Sequence, residues 1–316
     1  MTKQIYILIG LPGCGKSTWS GNFKSETPNT LIVSSDAIRG ELYGDENEQG
    51  NPELVFRTVF DKVIDGIRRN DVSNIIVDAT NIKVRDRNNV IGTIKKRAWN
   101  ELKGNADFSF TAVWFAVPIE ECKRRNQLRE RVVPDDVIER MYKNFCPPSF
   151  MEGYDRIKIV MSDYDKDKYS LENFLNVADV FEQHNPHHTL TLGGHCRKTQ
   201  EYVDLKGCSK AMSFAALIHD NGKIFTASFI NGKGEETEVM HFYQHHCTGA
   251  YDSAFYSKTQ GFGDEDILYI ANLIYYHMHP LLQWKNEKTM ERAKLSLPED
   301  FFNDIMLLHE GDVNAH

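Results

Sequence analysis

The chain of 316 residues has no histidine before His184, so imidazole chemistry is excluded from its first half. It also lacks cysteine pairs. Its six cysteines, Cys14, Cys122, Cys146, Cys196, Cys208 and Cys247, form no CxxC motif, which speaks against a paired structural metal site and for reduced thiols in a cytoplasmic protein. No apolar run approaches the roughly 18 residues that suggest a membrane span. The opening MTKQIYILIG has neither a basic n-region nor a small-residue cleavage site, so no secretory signal is expected. A global basic excess is missing too. Residues 1–165 carry 24 Lys+Arg against 24 Asp+Glu, and the net charge of −8 lies entirely beyond them. Neither half is a basic nucleic-acid-binding domain by overall charge, so any such contact must be local. There is no internal repeat and no low-complexity tract.

What is present divides the chain in two. QIYILIG, TLIVSSD, NIIVDATN, FSFTAVWFAV and RIKIVMS read as buried strands. Between them, PELVFRTVFDKVIDGIRR, RDRNNVIGTIKKRA and PIEECKRRNQLRERV have helical spacing. This alternation predicts an α/β fold with a doubly wound parallel sheet over residues 1–165. The aperiodic SDYDKDKYS places a linker near residues 162–170. Beyond it, over residues 166–316, the patterns are mainly helical: LENFLNVADVFEQ, KAMSFAALIHD, DEDILYIANLIYYHM and FFNDIMLLHEGD. A hairpin turning at Asn231-Gly232 is expected within that second domain.

Gly10-Leu11-Pro12-Gly13-Cys14-Gly15-Lys16-Ser17 fits G-x-x-x-x-G-K-[ST], after a predicted strand and before a predicted helix. The loop, Gly10, Gly13, Cys14, Gly15 and on to Thr18, would wrap ATP phosphates with backbone N–H groups. Lys16 would reach the β- and γ-phosphates, and Ser17 would hold Mg²⁺. Asp36 lies at the next strand end, where it can accept a proton from an attacking hydroxyl; Arg39, one helical turn on, can clamp an anionic group on the acceptor. Asp78, Thr80 and Asn81 end a third strand, and Asp78 suits a Mg²⁺-organising carboxylate. Arg124, Arg125, Arg129 and Arg131 cluster in one basic run; Arg125 and Arg129, four residues apart, are expected on one helix face over the triphosphate.

Together GLPGCGKST, SSDAIRGELYG, VDATN and RRNQLRERVVP resemble the phage-type 5′-polynucleotide kinase family, from Gln4 to about Pro134. The resemblance implies transfer of the ATP γ-phosphate to a nucleic-acid 5′-OH. It implies that Asp36 is the general base, that Arg39, Thr80 and Asn81 contact the acceptor, and that Lys16, Ser17, Arg125 and Arg129 hold the ATP phosphates. The chain reads Asp78-Ala79-Thr80-Asn81 where the family often has Asp-Thr-Asn, which leaves the role of Asp78 open.

The second half holds His195, the pair His219-Asp220, His245, His277 and Asp312, each on or beside an apolar helical pattern. Such residues are costly in a core unless paired or metal-bound. Neutral imidazole and carboxylate suit Mn, Fe, Co, Ni or Zn. The order H…HD…H…H…D, with ALIHDNGK and HHCTGAYD, resembles the HD phosphohydrolase superfamily, which implies a helical domain with one or two divalent metals hydrolysing phosphate esters. Carried over, His195, His219, Asp220 and Asp312 would hold one metal, and His245 and His277 a second, with Asp220 able to bridge. Lys223 would pair with the phosphate. His246 and His279 are rival ligands to their near neighbours.

A 5′-hydroxyl kinase joined to a metal phosphohydrolase implies repair of broken RNA or DNA ends. One domain adds the 5′-phosphate; the other removes a 3′- or 2′-phosphate or a 2′,3′-cyclic phosphate before a ligase acts. Two other readings stay open. One is a nucleoside or metabolite kinase fused to a nucleotidase. The other is an NTP-gated switch whose HD half senses a nucleotide.

Overall fold

The computed structural model describes residues 2–315 apart from 47, 49, 105, 187 and 188. They form two compact units, Met1–Met141 with Pro148–Asp163, and Tyr142–Pro147 with Tyr164–His316. The sequence boundary at 165/166 therefore falls two residues late, and it misses that residues 142–147 join the second unit. Their aromatic side chains are the reason. Tyr142 and Phe145 are fully buried, both edge-on to Tyr251, with ring centroids 5.3 and 4.7 Å from it.

In the first unit the elements are β1 (Lys3–Ile9), α1 (Lys16–Glu26), β2 (Thr30–Ser34), α2 (Ser35–Tyr43), α3 (Pro52–Arg68), β3 (Asn74–Asp78), α4 (Val84–Leu102), β4 (Phe108–Ala116), α5 (Ile119–Gln127), α6 (Asp135–Tyr142) and β5 (Arg156–Met161). The strands make a parallel sheet in the order β2-β3-β1-β4-β5. Ile5, Ile7, Leu8, Ile9, Ile75 and Ile76 are fully buried. Sheets covered on both faces need such unbroken apolar strands, which is why these segments do not alternate. The order sets the carboxyl ends of β1, β2 and β3 side by side, with Ser34 opposite Asp78 in the β2–β3 register. The phosphate-binding loop, Asp36 and Asp78 thus meet at one edge of the sheet, where ligands of open α/β folds bind.

One helix stops short of its expected end. α5 ends at Gln127, so Arg125 and Arg129 do not share a helix face. The buried Asn126 is the cause. Its amide donates to Val133 O at 2.7 Å and accepts from Val133 N at 3.1 Å, which folds the chain back on itself.

The second unit contains α7 (Leu171–Ala178), α8 (Leu192–Leu205), α9 (Lys210–Ile218), α10 (Lys223–Thr226), β6 (Ser228–Ile230), β7 (Glu236–His241), α11 (His245–Thr259), α12 (Asp264–Tyr276), α13 (His279–Leu282), α14 (Glu287–Ser296) and α15 (Glu299–Asn314). α8 packs on α9 and α15, and α11 on α12. β6 and β7 form the expected hairpin. Its turn spans residues 231–235, closed by Asn231 N donating to Glu235 O at 2.8 Å. α10 approaches α11 so closely that a Cβ on Gly222 would strike the His245 carbonyl and the Thr248 hydroxyl. Only glycine permits that approach, and it brings the His219-Asp220 segment against the start of α11.

Candidate active sites

The first site is a cleft of about 1230 Å³ in the first unit, lined by residues 12–19, Asp36, Arg39, Asp78, Thr80, Arg125, Arg129 and Arg131 among others. The loop geometry follows from its glycines. Gly13 and Gly15 have φ of 80° and 99°, and a Cβ on Gly13 would strike the Cys122 carbonyl. Gly10 is packed on Phe115, with its N–H donating to Thr80 O at 3.0 Å, and does not itself line the cleft. The Lys16 ammonium donates to the Gly10 and Leu11 carbonyls, both at 2.9 Å, and so spans the loop from within.

Ser17 and Asp78 are joined directly: the hydroxyl donates to Asp78 Oδ2 at 3.0 Å. Burial raises the Asp78 carboxyl above its usual range, opposed by the Lys16 charge and the Ser17 hydrogen bond. A hydroxyl and a carboxylate paired beside a phosphate loop fit Mg²⁺. Asp36 stands in the first turn of α2 behind the Ser34 cap. Both its oxygens meet guanidinium groups, Oδ1 with Arg39 at 2.5 Å and Oδ2 with Arg131 at 2.9 Å. Asn81 is different. It is buried, and its amide donates to Leu8 O at 2.8 Å. It props the end of β1 rather than facing an acceptor, which corrects the expectation of a substrate contact.

The second site lies wholly in the second unit. α9 ends at Ile218, so His219 caps the helix and Asp220 follows it, instead of both sitting within it. Four imidazoles are oriented alike. Nδ1 of His195, His219, His245 and His277 sits 3.3, 2.8, 2.8 and 2.6 Å from the carbonyls of Ala315, Ala216, Phe242 and Ile274. An Nδ1–H given to a carbonyl leaves the Nε2 lone pair for an ion, as in most metal-ligating histidines.

Those Nε2 atoms converge on Asp220. Its Oδ2 is 3.4 and 3.3 Å from His195 and His219, and Asp312 Oδ1 is 3.0 and 3.6 Å from the same pair. Its Oδ1 is 3.2 and 3.7 Å from His245 and His277. The carboxylate thus faces two donor sets, His195, His219 and Asp312 on one oxygen, and His245 and His277 on the other. Buried imidazole nitrogens around two carboxylates fit divalent transition ions.

Burial works against the charge on Asp220, yet Lys223 and His219 hold its carboxyl well below the usual range. Burial and the neighbouring His219 and His245 keep His277 neutral. His246 and His279 are also buried, but they pack on Tyr275 and Tyr276 and belong to neither donor set. Lys223, expected to pair with a substrate phosphate, meets a carboxylate instead. It is buried, with its ammonium on Asp220 Oδ2 at 2.7 Å.

Residues 5–148 match the family model described as AAA domain. The L-seryl-tRNA(Sec) kinase of Methanococcus maripaludis is 24% identical over 192 residues, 58% of this chain and 68% of that protein. The first unit is an AAA-type P-loop kinase domain. Among solved structures, a fungal RNA kinase is similar to it at 21% identity, over 52% of this chain and 76% of that one, with a TM-score of 0.41. A chain of the Pnkp1/Rnl/Hen1 RNA repair complex is similar at 25% identity, over 44% and 43%, with a TM-score of 0.34.

A P-loop kinase domain implies ATP with Mg²⁺, and Lys16, Ser17 and Asp78 line the cleft of the first unit. Arg125 is tied to Glu121 at 2.5 Å, while Arg129 and Arg131 follow the end of α5. Arg131 was not singled out from the basic run, although it is the arginine that reaches Asp36. Its signal is invisible locally, since the contact spans the sheet edge. Gln183 in the second unit was likewise missed. It accepts from Lys223 Nζ at 2.9 Å, and nothing in its surrounding sequence marks it. Among the described residues, no helix is long and apolar enough to cross a membrane.

Proposed function

We propose that the chain heals nucleic-acid ends: the kinase domain phosphorylates a 5′-hydroxyl, and the second unit is an HD-type phosphohydrolase that removes a terminal 3′- or 2′-phosphate or opens a 2′,3′-cyclic phosphate. The observation that carries the reading is that one chain holds both a P-loop cleft with a carboxylate between two arginines and a buried carboxylate between two imidazole sets.

In the kinase step the acceptor hydroxyl displaces a guanidinium from Asp36 and gives that carboxylate its proton. Its oxygen bonds to the γ-phosphorus while the bond to the β,γ-bridging oxygen breaks, and ADP leaves. Lys16 turns from the loop carbonyls to the phosphates, and Arg125, Arg129 and Arg131 offset charge at the transferring group. Arg39, freed from Asp36, holds a phosphate of the acceptor strand. In the hydrolytic step Asp220 and Asp312, with His195, His219, His245 and His277, would hold the ions. Divalent ions there supply Lewis acidity toward a phosphoryl oxygen and a more acidic water. Water oxygen adds to phosphorus, the ester P–O bond breaks, and the sugar oxygen leaves with a proton. The product ends, 5′-phosphate and 3′-hydroxyl, are the ones a ligase joins, so such a ligase is the expected partner.

The test uses one oligonucleotide with 5′-OH and 3′-phosphate ends, labelled ATP, Mg²⁺ and Mn²⁺. Wild type should change both ends. Asp36→Ala should lose only 5′ labelling, and Asp220→Ala only phosphate release, each by about 10²-fold or more. No change at either end defeats the proposal. Labelling of free nucleoside or seryl-tRNA in preference to the oligonucleotide would move the kinase to another acceptor.

A further inference from the structure

Asp220 is buried and Asp312, 18% exposed, shares His195 and His219 with it, so this pair of carboxylates needs positive charge whether or not an ion is bound. The closest cation to Asp220 is Lys223, 4% exposed, with Nζ 2.7 Å from Oδ2. Backbone geometry fixes this pairing, because Lys223 N donates to Asp220 O at 2.9 Å and starts α10 three residues on. The same ammonium donates to Gln183 Oε1 at 2.9 Å and lies 5.2 Å above the Phe242 ring. Gln183 is 1% exposed, and its Nε2 donates to Leu190 O at 3.2 Å. That bond sets which end of the amide faces the lysine.

Oδ2 is therefore contested. It is the oxygen that also faces His195 and His219, so an ion held by that donor set shares it with an ammonium. Two cations on one carboxylate oxygen repel at short range in a buried setting. Oδ1, beside His245 and His277, carries no such competitor among the described residues. Gln183 offers the ammonium a second acceptor that no ion contests.

We propose that Lys223 is a placeholder cation. It neutralises Asp220 while the His195, His219 and Asp312 set is empty, and it yields Oδ2 to an entering divalent ion by withdrawing onto Gln183, a positioning residue. The proposal rests on the metal-site reading of the second unit. It assigns opposite effects to the two residues. Removing the placeholder eases ion entry and leaves the empty site undercompensated. Removing Gln183 ties the ammonium to Asp220 and hinders entry. A lysine that only orients Asp220 predicts something else, since losing an orienting partner weakens metal binding.

The experiment is calorimetric titration of the metal-free full chain with Mn²⁺, with thermal melts of the metal-free and loaded protein. Lys223→Met is expected to bind Mn²⁺ about tenfold more tightly, on the scale of outer-shell effects, and to melt lower when metal-free. Gln183→Leu is expected to bind Mn²⁺ more weakly than wild type. Equal or weaker binding by Lys223→Met overturns the placeholder. If that variant does not fold without metal, Gln183→Leu decides alone: weaker binding supports the proposal, and unchanged or tighter binding overturns it. Wild type that binds no Mn²⁺ defeats the metal reading itself, a result distinct from failure of the placeholder.

Discussion

Asp220 shows what a single side chain can organise. One oxygen faces His195 and His219, the other His245 and His277, and Lys223 closes the carboxylate from the side. The His245-His246 doublet is ambiguous as sequence, because adjacent residues in a helix point about 100° apart and either can face a site. The structure turns His245 toward Asp220 and His246 toward Tyr275. Burial and the nearby His245 and His279 hold His246 neutral, pushed down to about 3. Isothermal titration with Mn²⁺ should therefore separate the two. His245→Ala is expected to lose at least about tenfold in affinity, and His246→Ala to stay near wild type. The reverse ranking would reassign the ligand.

At the scale of elements, a buried ion pair joins α4 to the short 3-10 turn at Phe150–Glu152. Arg87 is fully buried and binds the Glu152 carboxylate through Nε at 2.7 Å and Nη2 at 2.8 Å. Its Nη1 donates to Asn81 O at 3.0 Å, so the same side chain steadies the residue that props β1. Arg87→Met leaves Glu152 charged in the interior without its guanidinium partner, held by the Ser149 N–H. Urea unfolding should show a loss of about 3–5 kcal/mol, the usual result of removing one partner from a buried pair. Replacing both partners with apolar residues should cost much less. A loss below about 1 kcal/mol in Arg87→Met would mean that water reaches the pair. Periodicity showed α4 as a helix. It did not reveal the pair, because Arg87 and Glu152 are distant in sequence and each reads as a surface charge.

For the whole molecule, two compact units with separate ligand sets predict two separable stabilities. Scanning calorimetry should resolve two transitions. ATP with Mg²⁺ should raise one and Mn²⁺ the other, each by about 2.7 kcal/mol at a hundredfold excess over Kd. A single transition raised by either ligand would contradict independent units. The sequence by itself determined the phosphate loop, the sheet strands and the kinds of residue available to each half. Those depend on local requirements: glycine at positive φ, unbroken apolar runs for buried strands, and ionisable groups set in apolar helices. Tertiary structure alone decided the rest. It turned His245 and His277 toward Asp220 and packed His246 and His279 on Tyr275 and Tyr276, drew Arg131 onto Asp36, turned Asn81 inward, ended α5 early through Asn126, and set Lys223 on Asp220 with Gln183 behind it. Each of these depends on groups meeting across the fold, where the direction of a side chain is fixed by packing and not by its neighbours along the chain.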